Sequence, residues 1–321
     1  MAGEPARSGG VAPAAAPAVS ILIVGYNSAA HIVDCIGSIE RWVTGCRYEI
    51  VLIDNGDGST EAVVRAQFPS VLIVPSQGNI GFGAGCNRVA AQARADKLLF
   101  LNPDTKLTDD AVSALLAFSA ERPGAGAWGG RTVSDAGVFD GGNLILLPSF
   151  SRLLVATLGL SRIFGPTIAF EAETAPSEVD VLCGGFFMMD RTIWARLGGF
   201  DESFFLYSEE VDLFFRLKAA GLQAWVTPAA RIVHDVGSGG AQSPARIRYR
   251  TAGQMHFIRK YWSVPGMLVA GAVIWAGAAA RYAAGLALGR TSGRFRALRD
   301  AYGPLVRNPG LWFFGYTRNR H

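Results

Sequence analysis

Acidic side chains all but vanish from the last quarter of the chain. Residues 246–321 hold 13 Lys/Arg and one acid, Asp300, whereas residues 1–245 hold 17 Lys/Arg and 25 Asp/Glu. A basic tail behind an acidic body calls for an anionic partner, either a membrane surface or a nucleic acid. Cysteine is scarce too. Cys35, Cys46, Cys86 and Cys183 are scattered and form no C-x-x-C pair, so neither a zinc site nor a disulfide framework is expected, and a reducing compartment follows. Residues 1–18 are Ala, Pro and Gly with little else and lack the apolar core of a signal peptide. They read as a disordered leader on a cytoplasmic protein. No clean apolar run of about twenty residues suits a membrane span. The nearest, Val264 to Ala280, is small and glycine-rich and is closed by Arg281. No internal repeat is visible.

What is present points to a folded α/β protein. Half of the 321 residues are hydrophobic and 39 are glycine, a composition for a large core with many tight turns rather than for disorder. VSILIVGYN (19–27) is a continuous apolar run that ends polar, as a buried parallel strand and its carboxyl-end loop do. Residues 28–42 follow as a helix. YEIVLIDNG (48–56) repeats the pattern, a short helix covers 60–67, and VLIV (71–74) is a third strand. The loop PSQGNIGFGAG (75–85) opens a helix through Ala95, and KLLFLNPDT (97–105) is a fourth strand. Alternating strands and helices predict a mainly parallel sheet flanked by helices, with ligands at the carboxyl edge. Asn27, Asp54, Asn79 and Asp104 fall on that edge. Residues 126–147 read as a strand and hairpin, 148–178 as a variable insertion, and VDVLCGGFFMMD (179–190) as one buried strand. Ser208 is the expected N-cap of a helix over 209–220 ended by Gly221. QAWVTP and ARIVHDVG close the domain.

Several residues can do chemistry, each with a plainer alternative. Asp104, after the stiff Pro103, can hold a hard divalent cation that bridges a diphosphate, or it can cap the helix at 108–121. Asp54 can meet a ribose or a base edge, or it can serve the D-N-G turn. The glycines of GFGAGCN (81–87) can admit a phosphate at a helix start or allow close packing. His234 is a metal-ligand candidate or an ordinary satisfied histidine. In FFLYSEEVDLFFRL, the acids Glu209, Glu210 and Asp212 sit among apolar neighbours. They suit a positive helix N-terminus, or Glu210 faces the Asp104 pocket as a general base, kept ionised by that terminus and a nearby cation. Asp212 points elsewhere and is expected to pair with Arg216 at i+4.

The order of the blocks VSILIVGYNS, VLIDNG, QGNIGFGAGCNR, LLFLNPDT, GGFFMMDR, LGGFDESFFLYSEEVDLFFRLKAAG and ARIVHDVGSG resembles the inverting glycosyltransferases of family 2, and most of all their rhamnosyltransferase-type branch. The resemblance covers residues 19–240. It implies a GT-A fold, a nucleotide-sugar donor and Mg²⁺ or Mn²⁺. It implies donor binding by Tyr26, Asn27, Asp54 (at the base), Asn79, Gly81, Asn87, Asn102 and Asp104, and a metal held by Asp104 and His234. It makes Glu210 the catalytic base and turns Gly184, Gly185 and Glu209 toward the acceptor. Two departures stand out. The base position usually carries Asp in a glutamate–aspartate pair, and Gly25 replaces a polar or β-branched residue. The expected donor is dTDP-rhamnose; UDP-N-acetylglucosamine, UDP-galactose or GDP-mannose on the same fold, or a non-catalytic nucleotide-sugar scaffold, are the alternatives. A dehydrogenase is excluded because the glycines follow the third strand rather than the first.

Residues 241–321 mix arginines with aromatic and apolar side chains and read as basic amphipathic helices lying on an anionic membrane surface. A helical cap, a homodimer contact and a true span are the alternatives. Such a tail suits a polyprenyl-diphosphate-linked or other glycan acceptor presented at the inner face of the membrane, with the protein cytoplasmic and peripheral. Nucleic acid is not expected, since no reader motif accompanies the charge.

Overall fold

A computed structural model describes residues 16–134, 137–139, 144–159, 174–234, 243–290 and 292–316. Most of the expected leader and much of the 148–178 insertion lie outside the described residues. The first strand, β1 (Val19–Gly25), is buried along its whole length, which is why its sequence is apolar without alternation. Helix α1 (Ala29–Trp42), β2 (Tyr48–Asp54), α2 (Ser59–Gln67), β3 (Leu72–Val74), α3 (Phe82–Gln92) and β4 (Lys97–Leu101) follow in the expected alternation. β3, β2, β1 and β4 are neighbours in that order and run parallel.

Beyond β4 the sheet becomes mixed. β5 (Thr105–Leu107), α4 (Ala111–Glu121) and β6 (Ala127–Val133) come next, then β7 (Leu144–Ile145) and α5 (Phe150–Thr157). β8 (Ser177–Val179), β9 (Val181–Leu182), β10 (Phe186–Asp190), α6 (Arg191–Leu197), α7 (Glu209–Ala219) and β11 (Ala224–His234) complete this part. β10 lies antiparallel between β4 and β6, and β11 pairs parallel with β6 and antiparallel with β5 and β8.

Three expectations need correction. Residues 179–190 are not one strand, because Cys183, Gly184 and Gly185 break them into β9 and β10. Among the described residues the return after β6 is a single antiparallel bridge, Val133 to Phe139, with Ser134 N donating to the Val138 carbonyl at 2.9 Å; β7 pairs instead with β9 in a separate two-stranded sheet. Ala224–His234, running from QAWVTP into ARIVH, form the single strand β11, which absorbs the interruption at Pro228 as a bulge between Val226 and Arg231, where a missing N–H is tolerated.

Two apolar layers cover the sheet. One packs α1, α2 and α4 against Ile21, Ile23, Leu99 and Met188. The other carries aromatic rings behind the site: Phe100 stacks on Phe187 with centroids 4.7 Å apart, and Phe200 and Phe214 meet Phe187 edge-on. These rings fix α7 against β4 and β10. The tail is helical, as expected: α8 (Pro244–Tyr261), α9 (Val264–Leu288) and α10 (Gly293–Arg307). They share a third core with α5 that includes Leu153, Met255, Ile258, Ala270, Leu305 and Trp312. Arg281 does not close the apolar segment. Its guanidinium donates to the carbonyls of Ala156 and Thr157 at 3.0 and 3.1 Å, and α9 runs on to Leu288.

Candidate active site

Strand pairing builds one corner of the site. β11 runs antiparallel to β5, so His234 stands opposite Thr105, immediately after Asp104. The His234 Nε2 is 3.3 Å from an Asp104 carboxylate oxygen and 3.5 Å from the Asn102 Nδ2. Asn102 N donates to the Gly185 carbonyl at 3.0 Å. A Cβ on Gly185 would come within 2.9 Å of Asn102 Nδ2 and 3.4 Å of His234 Cε1, so glycine is what lets these groups close together. Helix α4 is capped by Asp110, which accepts from Ser113 N at 3.0 Å. Asp104 is thereby free of the capping role.

The acid pair builds the facing wall. Tyr207 and Ser208 both take positive φ, 70° and 73°, before α7 starts. Two non-glycine residues in succession there are a strained entry to a helix. Ser208 occupies the N-cap position but makes no side-chain cap bond, because a left-handed backbone turns its hydroxyl away from the first amides. Glu209 is 3% and Glu210 7% exposed, and one oxygen of each, Oε2, is buried with no partner among the described residues. Burial, followed by the Glu210 charge, pushes the Glu209 carboxyl well above its ordinary value; burial pushes Glu210 up as well, against opposition from Arg250. In the protein alone, loss of water thus outweighs the hydrogen bonds at the helix start and the Arg250 charge. Asp212 is different. Fully buried, it accepts from Arg216 at 2.8 Å, Lys260 at 2.6 Å and Tyr261 at 2.7 Å, so the expected i+4 pair is one bond of three.

The segment Cys183–Gly185 joins the two walls. The Cys183 thiol is pushed up to about 12 by burial and then by the Glu210 charge, while Gly185 lies against Asn102 and His234. The break between β9 and β10 thus touches Asn102 and His234 through Gly185, and its Cys183 feels the Glu210 charge. A Cβ on Gly184 would strike the Phe82 ring at 2.8 Å, and one on Gly81 would meet the Phe205 carbonyl at 2.6 Å. With φ at +91°, Gly81 allows Phe82 N to donate to that carbonyl at 3.0 Å.

The remaining donor-side expectations divide. Tyr26 and Asn27 are exposed at the end of β1, Asn27 with φ 51°, and Asn79 is exposed in the loop before α3, where its Oδ1 accepts from Gly81 N. Asp54 is wholly buried, and its oxygens accept from Gly56 N at 2.8 Å and Glu61 N at 2.9 Å. It shapes the turn into α2, and its carboxylate is engaged by backbone. Asn87 is a tie as well. Its Nδ2 donates to the Phe200 carbonyl and to Glu202, and its Oδ1 accepts from Phe200 N, so both of its N–H groups are already spent within the protein. Sequence reasoning missed Asn55, which clasps both sides of the Ile80–Gly81 peptide region: its Nδ2 donates to Gly81 O and its Oδ1 accepts from Ile80 N. It also missed Tyr207, two positions before Glu209, and Arg250, which only the packing of the tail brings near the acids.

No group of three or more His, Cys, Asp or Glu that could hold a metal occurs among the described residues. The pair Asp104 and His234 still fits a hard divalent ion that completes its shell with water and substrate phosphate.

Comparisons with known proteins bear on the fold and the family. The chain is 29% identical over 249 residues to a protein named N-acetylglucosaminyl-diphospho-decaprenol L-rhamnosyltransferase in two strains of Mycobacterium tuberculosis, across 70% of this chain and 78% of that protein. The fold is shared with a mannosyltransferase of Pyrobaculum calidifontis solved with GDP-Man and Mn²⁺, with a TM-score of 0.54 at 18% identity over 94% of this chain and 87% of that one. It is also shared with GalNAc-T7 solved with UDP, GalNAc and Mn²⁺, at a TM-score of 0.54 and 14% identity; the match covers 78% of this chain and about half, 49%, of that one. The architecture is thus the expected α/β GT-A fold. Matched by the profile of glycosyl transferase family 2 over residues 20–198, more than half of its length, the chain belongs to that family and is a rhamnosyltransferase-like glycosyltransferase.

Proposed function

We propose that the chain transfers rhamnose from dTDP-rhamnose, with inversion, to a hydroxyl of a glycan carried on a polyprenyl diphosphate. The observation that carries the reading is the buried Glu209–Glu210 pair, with its unpartnered oxygens, across the Cys183–Gly185 break from Asp104 and His234. The likeness to the mycobacterial rhamnosyltransferase supports both the sugar and the lipid-diphosphate carrier.

Tyr26, Asn27, Asn79 and Gly81 border the nucleotide at the carboxyl edge of β1 to β3, and the loop shaped by Asp54 borders its base. Asn102 orients His234. Asp104 and His234 would hold Mg²⁺ or Mn²⁺, whose charge when bound offsets that of the leaving diphosphate. Glu210 accepts the proton of the acceptor hydroxyl as its oxygen attacks the anomeric carbon. The bond from that carbon to the diphosphate oxygen breaks, and its electron pair leaves with the nucleotide. Because water is excluded from Glu210, the carboxylate is a stronger base than one in solution, which suits proton abstraction from an alcohol. Glu209 withholds a second charge and borders the acceptor with Gly184 and Gly185. The tail keeps residues 19–240, the catalytic domain, at the inner face of the membrane.

The test is an incubation of the purified chain and Mg²⁺ or Mn²⁺ with dTDP-rhamnose, UDP-N-acetylglucosamine, UDP-galactose and GDP-mannose in separate reactions containing membrane lipid extract. Lipid-dependent release of dTDP is expected. Faster release from another donor would replace rhamnose, and no release from any donor would make the chain a nucleotide-sugar scaffold.

A further inference from the structure

Helix α8 lies outside residues 20–198, yet it reaches the acid pair. Arg246, Tyr249, Arg250 and Gly253 follow one another at helical spacing and share one face of α8. That face packs on the strained loop before α7. The Tyr249 ring lies 5.6 Å from that of Phe205. Gly253 lets the helix backbone approach the Tyr207 carbonyl too closely for any side chain. Tyr316 pins the contact from behind, its hydroxyl donating to the carbonyls of Leu206 and Tyr249. This packing carries both guanidinium groups to the rim. Arg246 lies against the Tyr207 phenol, and Arg250 is near enough to both Tyr207 and Glu210 to act on their titration. Arg246 and Arg250 are exposed, and no ion pair among the described residues engages either. The loop that α8 covers leads straight into Glu209 and Glu210, each with one buried oxygen that lacks a partner among the described residues.

We propose that Arg246 and Arg250 form the subsite for the diphosphate of the acceptor, set beside the base so that one molecule's hydroxyl meets Glu210 while its anion meets α8. The inference rests on the proposed transferase reading and adds the residues that select a diphosphate-bearing acceptor. The chemistry fits. Guanidinium groups offer forked donors to phosphate oxygens, and in an acceptor sugar a ring hydroxyl and the anomeric diphosphate are separated by the width of one ring. The donor's diphosphate is expected on the other wall, at Asp104 and His234.

Two measurements test it. The first needs no turnover: inorganic diphosphate is titrated into the full chain with EDTA present and dTDP saturating the donor side. Binding is expected in the wild type and about tenfold or more weaker in R246Q/R250Q, with R246K/R250K between them; dTDP affinity should be equal in all three. Equal diphosphate affinity in wild type and R246Q/R250Q, or no binding by the wild type, overturns the subsite. The second compares N-acetylglucosaminyl diphosphate bearing a short prenyl chain with octyl N-acetylglucosaminide as acceptors. R246Q/R250Q should raise KM for the charged acceptor alone. An equal change for both acceptors, or a shift of the pH profile without a KM change, reduces Arg250 to tuning Glu210 and overturns the subsite. Failure of transfer to either acceptor would count against the transferase reading, while the diphosphate titration still decides the subsite.

Discussion

Glu210 and Asp212 are two positions apart on α7 and meet burial in opposite ways. Asp212 gathers Arg216, Lys260 and Tyr261 as hydrogen-bond partners. Glu210 and its neighbour Glu209 each keep one buried oxygen without a partner among the described residues, and burial raises both carboxyls. A base built this way costs stability. Glu210→Gln should lower turnover about a hundredfold or more while donor affinity by calorimetry stays nearly constant; near-normal turnover would remove Glu210 from the role. The acid limb of the pH–rate profile should lie above the ordinary glutamate value of 4.5, since the folded protein raises it. The sign for stability follows. A carboxyl raised on folding favours the native state below its unfolded value, and that contribution is lost as pH rises through the folded value. Glu209→Gln should therefore melt progressively higher than wild type as pH increases from the ordinary glutamate range toward neutrality and beyond. A melting difference independent of pH would contradict the assignment. The proposed base was legible through the family resemblance of the SEEVD block; its raised titration was not, because burial and the Arg250 charge arise only in three dimensions.

At the scale of elements, α7 and α8 act as a unit. Lys260 bridges Asp212 and Asp201, both at 2.6 Å, and Ser203 and His256 are 2.9 Å apart across the same seam. Asp212→Asn leaves Arg216 and Lys260 facing a neutral group and should cost about 3 kcal/mol in urea unfolding, with faster amide exchange along residues 244–261. A loss under about 1 kcal/mol would mean that apolar packing, not this cluster, holds α8. Gly81→Ala tests the opposite seam. At φ +91° with a carbonyl where its Cβ must go, alanine should push α3 off the Phe205 loop, destabilise the chain by about 1–3 kcal/mol and slow transfer; unchanged melting and turnover would show the loop tolerates displacement. The sequence foretold α1 to α4, α7 and a parallel first half of the sheet, but not the strand order β3-β2-β1-β4. It misled at residues 179–190, where an unbroken apolar run hides two strands, since apolar periodicity does not register a glycine break that side-chain crowding demands.

For the whole molecule, the tail is both a packed helical unit and an apolar surface. α9 is 25 residues long with mean hydropathy 1.4, long and apolar enough by those measures to cross a membrane, and 22% of its apolar window is buried. Val264, Leu268, Val269, Trp275 and Leu286 are exposed along it, and Arg290, Arg294 and Arg296 follow. An interfacial tail predicts that the chain floats with vesicles containing anionic lipid, is released by high salt or carbonate, and loses binding in L268E/W275E. Retention after carbonate would instead show a span. By itself the sequence determined the family, the strand-ending polar residues and the charge asymmetry, because these depend on local composition and on the order of motifs along the chain. Only the tertiary structure decided that Asp54 and Asn87 are engaged by backbone, that His234 closes on Asp104 and that α8 delivers Arg250 to Glu210. Each of these depends on strand register or helix packing between residues far apart in the chain, which no local pattern encodes.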